Sequence, residues 1–298
     1  MHALRPWLAA SRPDRALLAP LAVALGSSYA HFDSQQGPGL PAHLIVTLGA
    51  LAAGCGVNLI DNGWDRLGEP PPEAGSLTSD EDWPIGSRDS FVAGGAAIVL
   101  ATICGIGLVP LSGSATLSYG FVAVTLGVLR RAPIVGADTL GWGLGELATL
   151  LALGPLAALV GFASQAGAGS SGAFLAGLPA GLIAAAVLFA RHFTQRDADA
   201  RWARMTPVVS LGEGQAHLAL IALPGLAAGA VVIAARAGEY GPWASLAVVP
   251  LLAAALAAWR LPDSAVEADY ALWERWALGC GAAALVAVVV ALRIASPD

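Results

Sequence analysis

Residues 172–199 read GAFLAGLPAGLIAAAVLFARHFTQRDAD, an apolar run that closes on His192-x-x-Gln195-x-x-x-Asp199. Residues 41–65 read PAHLIVTLGALAAGCGVNLIDNGWD and close the same way, on Asn58-x-x-Asp61-x-x-x-Asp65. Each run approaches the roughly 20 residues that a membrane-spanning helix needs. At about 100° per residue, each triplet falls within roughly a 60° arc, one narrow polar stripe on a helix. Charged groups at the end of a membrane helix are costly, so the stripes mark a candidate functional site. Carboxylates and carbonyl-type oxygens in two facing clusters suit a hard divalent cation that carries a phosphate.

The rest of the chain fits this reading. It has 298 residues, of which 56% are hydrophobic and 12% charged, with a mean hydropathy of +0.68. An ordinary soluble domain carries about twice that charged fraction. The composition therefore predicts an integral membrane protein in a lipid bilayer. The formal net charge is −6, and no basic tract is long enough for nucleic acid, so none is expected as a partner. Cys55, Cys104 and Cys280 are scattered in apolar runs, which excludes a disulfide framework or a zinc site and leaves them as small buried hydrophobes. No cleavable signal peptide is evident, so the first apolar segment is expected to stay as an anchor.

Nine apolar segments are expected to span, near 16–34, 41–61, 90–110, 114–131, 144–164, 172–194, 215–235, 241–259 and 272–293. The arginines test the count, because all 15 basic residues are arginine. With the N-terminus in the cytoplasm, only Arg236 and Arg293 fall on the outer side, a clear positive-inside bias. Both triplets then lie on the cytoplasmic side of a bacterial inner membrane, at the ends of the second and sixth segments. The chain reads as a single domain over 1–298, with cytoplasmic loops near 62–89 and 195–214. The first loop is rich in Pro, Gly and acids, and is expected to be a connector or a lid.

Asn58, Asp61 and Asp65 offer an amide and two carboxylates, a set suited to Mg²⁺, which keeps ligand places for water and substrate phosphate. The second triplet sits in Arg191-His192-Phe193-Thr194-Gln195-Arg196-Asp197-Ala198-Asp199, which mixes metal oxygens with guanidinium forks for phosphate. Arg204, near Thr206, is the preferred phosphate contact. His192 has two readings, one as a group that orients a substrate hydroxyl or acts as a base, the other as an interfacial histidine bonded to backbone. Arg130-Arg131 supplies charge for a diphosphate leaving group or anchors the helix end. Gly143-Leu144-Gly145-Glu146 opens the fifth segment, with glycines for close helix approach and Glu146 facing a cavity.

Longer motifs carry a resemblance. Trp7-Leu8-Ala9-Ala10-Ser11-Arg12-Pro13 resembles the W-x-x-A-x-R-P opening of the UbiA superfamily of intramembrane aromatic prenyltransferases. Leu140-Gly141-Trp142-Gly143-Leu144-Gly145-Glu146 is similar to that family's L-G-Y-x-G-L-G-E stretch, one residue shorter. His192-Phe193-x-Gln195-x-x-x-Asp199 followed by Arg204-x-Thr206-Pro207-Val208-Val209-x-Leu211-Gly212 is similar to H-F-x-Q-x-x-x-D-x-x-x-G-K-x-S-P-x-V-x-L-G in its MenA-like branch. The departures are local. Asn58 stands where the first motif, N-D-x-x-D-x-x-x-D, has its first acid, and Val57 stands for the asparagine. Arg204 stands for a lysine and Ala203 for a glycine. Leu129-Arg130-Arg131-Ala132-Pro133 replaces a Y-T-x-P-P stretch.

The resemblance implies an all-α, polytopic membrane protein, a bundle of about nine transmembrane helices around a central cavity. It implies a polyprenyl diphosphate and an aromatic acceptor as substrates, the acceptor being 1,4-dihydroxy-2-naphthoate. Asp61, Asp65 and Asp199, helped by Asn58 and Gln195, would hold Mg²⁺ on the diphosphate, while Arg204 and Arg131 neutralise its departing charge. Two other readings stand beside this one. One is a different acceptor: 4-hydroxybenzoate, homogentisate, a tetrapyrrole alcohol or a lipid. The other is a prenyl-lipid binder or transporter without catalysis.

Overall fold

A computed structural model describes residues 5–34, 39–67, 85–132, 136–141, 143–201, 203–261 and 265–295. Among the described residues the chain is helical and no strand occurs. Two short helices, α1 (Arg5–Ser11) and α2 (Pro13–Ala16), precede α3 (Leu18–Ser34), α4 (Leu40–Asp65), α5 (Ser87–Ser112) and α6 (Ala115–Arg130). The short α7 (Ala137–Leu140) leads into α8 (Leu144–Ala166) and α9 (Ser171–Thr194). Two more short helices, α10 (Arg196–Arg201) and α11 (Pro207–Leu211), are followed by α12 (Glu213–Arg236), α13 (Pro242–Trp259) and α14 (Glu267–Ala295).

Every expected apolar segment coincides with a helix, but the count of spans differs. Among the described residues, 7 helices are long and apolar enough to cross a membrane: α4, α5, α8, α9, α12, α13 and α14. The remaining two, α3 with 17 residues and α6 with 16, fall short of the length a straight crossing needs. Large side chains of α6 still face out, as do those of the longer spans, whereas Leu18, Val23, Leu25 and Tyr29 of α3 are buried in the core. Phe121 on α6 and Ile233 on α12 are both more than two thirds exposed, as expected of a surface bathed in lipid. The protein is an integral membrane protein.

Small residues set the packing. A Cβ on Gly26 would lie 1.9 Å from the Ala158 carbonyl oxygen, and one on Gly161 would lie 2.0 Å from that of Val23. Glycine at both places lets α3 and α8 touch backbone to backbone, and Ser27 Oγ donates to the Gly161 carbonyl at 3.2 Å. Within α8, residues Ala152–Leu156 form a π-turn around Pro155, which has no N–H to continue the ladder. Gly177 and Gly181 of α9 leave room for that bulge. The core runs through α3, α8, α9 and α14, with Tyr240 closing it far from the triplets by donating to the Ala176 carbonyl at 2.5 Å.

Two expectations about loops need correction. Helix α4 continues to Asp65, so the whole first triplet is helical and the connector begins later than residue 62. Its acidic, proline-rich part falls within 68–84, outside the described residues. The 195–214 stretch is not simply a loop, since it contains α10 and α11.

Candidate active site

The first triplet is the polar stripe the spacing predicts, at the end of α4. The second is not on one helix. Helix α9 stops at Thr194, whose Oγ1 donates to the Arg191 carbonyl at 2.9 Å and competes with the helical ladder. Gln195 makes the turn with φ −119°. Asp199 then comes back on α10, so that its Oδ2 lies 3.2 Å from His192 Nδ1. The triplet converges through a turn rather than through helical periodicity.

The two triplets meet, and arginines join them. Asp65 accepts from Arg131 Nη1 at 2.5 Å and Arg191 Nη2 at 3.0 Å on Oδ2, and from Arg204 Nη1 at 2.9 Å on Oδ1. Arg204 Nη1 is also 3.4 Å from Asp199 Oδ1, which makes it a direct bridge between the two stripes. Arg131 is a second bridge, because its Nη2 donates to Gln195 Oε1 at 3.0 Å and stands 3.5 Å from Asp199 Oδ1. Arg130 donates to Asp61 Oδ2 and, at 3.1 Å, to Asp138 Oδ2. Asp61, Asp138, Arg131, His192 and Asp199 are all at most 3% exposed.

Each element has a reason to be there. Arg130 and Arg131 close α6, where guanidinium charge is favourable at a helix C-terminus, and Arg191 and His192 do the same on α9. Gly145, on the first turn of α8, admits Asp138, because a Cβ there would meet Asp138 Oδ1 at 1.8 Å. Glu146 of that turn places Oε1 2.9 Å from His192 Nε2, off the axis of a hydrogen bond. His192 is therefore held between two carboxylates in the interior. The alternative of an interfacial, backbone-bonded histidine is excluded.

Asn58 keeps a different place from the one its motif suggests. Its Nδ2 donates to the Ser11 carbonyl at 3.0 Å and faces that of Arg12 at 3.4 Å, which fixes the end of α1. Arg12 adopts φ 44°, left-handed for a non-glycine residue that precedes proline, and such strain costs on the order of 1–3 kcal/mol unless neighbours hold it. Burial, with Arg15 and Arg131 close by, pulls the Arg12 guanidinium down to about 10.

Electrostatics favour the charged forms of Arg131 and Asp199. Burial works to lower the affinity of Arg131 for its proton, but Asp65, Asp61, Asp138 and Asp199 outweigh it and hold the guanidinium above its ordinary range. Burial likewise works to raise Asp199. The His192 hydrogen bond and the charges of His192, Arg131 and Arg204 prevail and keep it below the usual carboxylate range.

A cavity of about 790 Å³ opens from this cluster. Asn58, Arg130 and Arg191 stand at its polar end, and Val46, Cys104, Leu108, Leu117 and Leu153 line the apolar remainder. A volume of this size matches a ligand pocket that buries a long apolar group.

As potential metal ligands, Asp61, Asp65 and Asp199 are right in kind, since hard cations take carboxylate oxygens. Two buried oxygens, Asp61 Oδ1 and Asp138 Oδ1, accept no hydrogen bond. The other carboxylate oxygens of the triplets are engaged by guanidinium or imidazole, and among the described residues no three His, Cys, Asp or Glu side chains are grouped to hold an ion. The donor set fits a divalent cation once arginines release it.

Sequence reasoning missed Asp138, and left Arg130 and Arg191 between phosphate contacts and topology anchors. Asp138 carries no periodic signal, being brought to Arg130 by the turn before α7. The one clue is an acid seven residues after an Arg-Arg pair at a helix end.

The arrangement of helices is that of the UbiA-type membrane prenyltransferase fold. The structure aligns with a UbiA homologue from Aeropyrum pernix K1 at a TM-score of 0.67 and 14% identity, covering 93% of this chain and 97% of that one. It aligns with a UbiA homologue from Archaeoglobus fulgidus bound to DMAPP and Mg²⁺ at a TM-score of 0.58 and 15% identity, covering 94% and 99%. In sequence, the chain is similar to the 2-carboxy-1,4-naphthoquinone phytyltransferase of Synechocystis sp. (strain ATCC 27184 / PCC 6803 / Kazusa), with 29% identity over 211 residues. That match covers 69% of this chain and 66% of the relative, just under two thirds of its length. No protein-family model matches the chain.

Proposed function

We propose that this chain transfers a prenyl group from its diphosphate to an aromatic acceptor of the 1,4-dihydroxy-2-naphthoate type. The observation that carries the reading is the arginine cluster of Arg130, Arg131, Arg191 and Arg204, of which Arg130 and Arg191 line the apolar cavity. Guanidinium forks match phosphate oxygens, and the cavity matches a prenyl tail. The likeness to a naphthoquinone phytyltransferase supports the acceptor class. The cluster sits at helix ends, and the positive-inside pattern supports a cytoplasmic face for it.

Arg131 and Arg204 bind the diphosphate and stabilise the charge that builds on it as the C1–O bond breaks, with the electron pair leaving on oxygen. Asp61, Asp65 and Asp199, with Gln195, would hold Mg²⁺, which supplies Lewis-acid stabilisation of the same leaving group when bound. The apolar wall keeps water from the allylic cation. The acceptor's carboxylated ring carbon attacks C1, a C–C bond forms, and CO₂ departs. The electrons of its bond restore the aromatic ring. His192, held by Asp199 and Glu146, orients an acceptor hydroxyl. The product is a prenylated naphthohydroquinone, the reduced form of a demethylmenaquinone-type quinone.

The test is a transfer assay on protein purified in detergent, with Mg²⁺, geranylgeranyl diphosphate and 1,4-dihydroxy-2-naphthoate. Mass spectrometry is expected to find the decarboxylated prenyl product. Diphosphate release without that product would overturn the acceptor, and no consumption of any prenyl diphosphate would overturn the function.

A further inference from the structure

Every aspartate of the two triplets is already neutralised by protein. Asp65 is engaged on both oxygens by three guanidiniums, and Asp199 on both by Arg204, Arg131 and His192. Asp61 and Asp138 share Arg130. One more guanidinium is present than these pairs require. Arg12 acts electrostatically on Arg131, Arg191, Asp61, Asp65 and Glu274, yet among the described residues its side chain has no ion pair or hydrogen bond. Asn58 keeps it there. An amide can donate to the carbonyls of Ser11 and Arg12, whereas the acid of the resembled motif cannot. The exchange of acid for amide thus removes a metal ligand and ties the backbone at Arg12 to α4.

We propose that this site takes a diphosphate before it takes a metal ion, and that the arginines form the metal-free diphosphate site. The inference rests on reading the cluster as a diphosphate site. A bare divalent cation entering first meets carboxylates already held by guanidiniums and must strip those guanidiniums away, leaving buried charges unpaired. A diphosphate entering first offers those guanidiniums equivalent bidentate partners, so no charge is stranded. Its excess negative charge and the released aspartate oxygens then make a cation welcome. Metal binding is therefore conditional on the diphosphate, with Arg12 as the residue that tips the order.

The experiment titrates full-length protein in detergent with inorganic pyrophosphate in EDTA by calorimetry. In parallel, Mn²⁺ binding is followed by electron paramagnetic resonance with and without pyrophosphate. Pyrophosphate is expected to bind in EDTA, and Mn²⁺ to bind only after pyrophosphate is added. Arg12→Gln should weaken metal-free pyrophosphate binding by about tenfold. Asn58→Asp should weaken it likewise and let Mn²⁺ bind alone. Tight Mn²⁺ binding to the unaltered protein without pyrophosphate, or pyrophosphate binding only with metal, would overturn the order while leaving the transferase reading intact. Pyrophosphate that binds under neither condition would overturn both.

Discussion

Replacing Asp65 with asparagine is expected to lower prenyl transfer by about a thousandfold, the scale of losing a preorganised electrostatic group, in a protein that still folds. Asp65 is where Arg131, Arg191 and Arg204 converge. Asparagine keeps the shape and one acceptor oxygen but presents N–H groups to cations. The arginines then lose the charge that aims them at the diphosphate, and a cation loses a ligand. The side chain is 23% exposed, so water can partly solvate the released guanidiniums and the fold survives. Turnover would be measured by mass spectrometry, with size-exclusion chromatography in detergent as the folding control. Turnover within tenfold of the unaltered protein would remove Asp65 from the machinery.

Arg131→Met is expected to act on stability as well. The Arg131 side chain is fully buried, and it alone touches Asp65, Asp138, Asp199 and Gln195. Methionine fills similar volume but takes one cation from each of those acids, leaving Arg204 as the bridge between Asp65 and Asp199. Breaking a buried ion pair from one side costs about 3–5 kcal/mol, seen as a lower melting temperature in detergent together with lost activity. Arg131→Lys separates the two effects. It returns the charge as a point without the fork, so it should recover much of the stability and little of the turnover. A Met variant that melts with the unaltered protein would show that the network is not structural.

Much of the fold was legible because a bilayer imposes a simple code. Apolar runs of sufficient length are helices, and arginine marks the cytoplasmic side. The site was legible in part. The first triplet lies on one helix, so its spacing located it, and so did the resemblance around His192, Gln195 and Asp199. The convergence of His192 and Asp199 depends on the break at Gln195, which no period encodes. Asn58 was taken as an oxygen ligand because spacing shows a residue's face and not which of its atoms is engaged. Arg130 and Arg191 were hidden behind topology. An arginine at the cytoplasmic end of a span satisfies the positive-inside pattern whether it faces headgroups or reaches a buried aspartate. Asp138 depends wholly on tertiary structure.

The π-turn at Ala152–Leu156 gives helix α8 a second property. One extra residue in a turn advances everything before it by about 100° relative to everything after. The helix is in effect two screws of equal pitch joined out of phase. The upper length aims Gly145 and Glu146 at the charged cluster, and the lower aims Gly161 at α3. Neither aim constrains the other, so the chemistry at one end and the close packing at the other are set independently along a single rod.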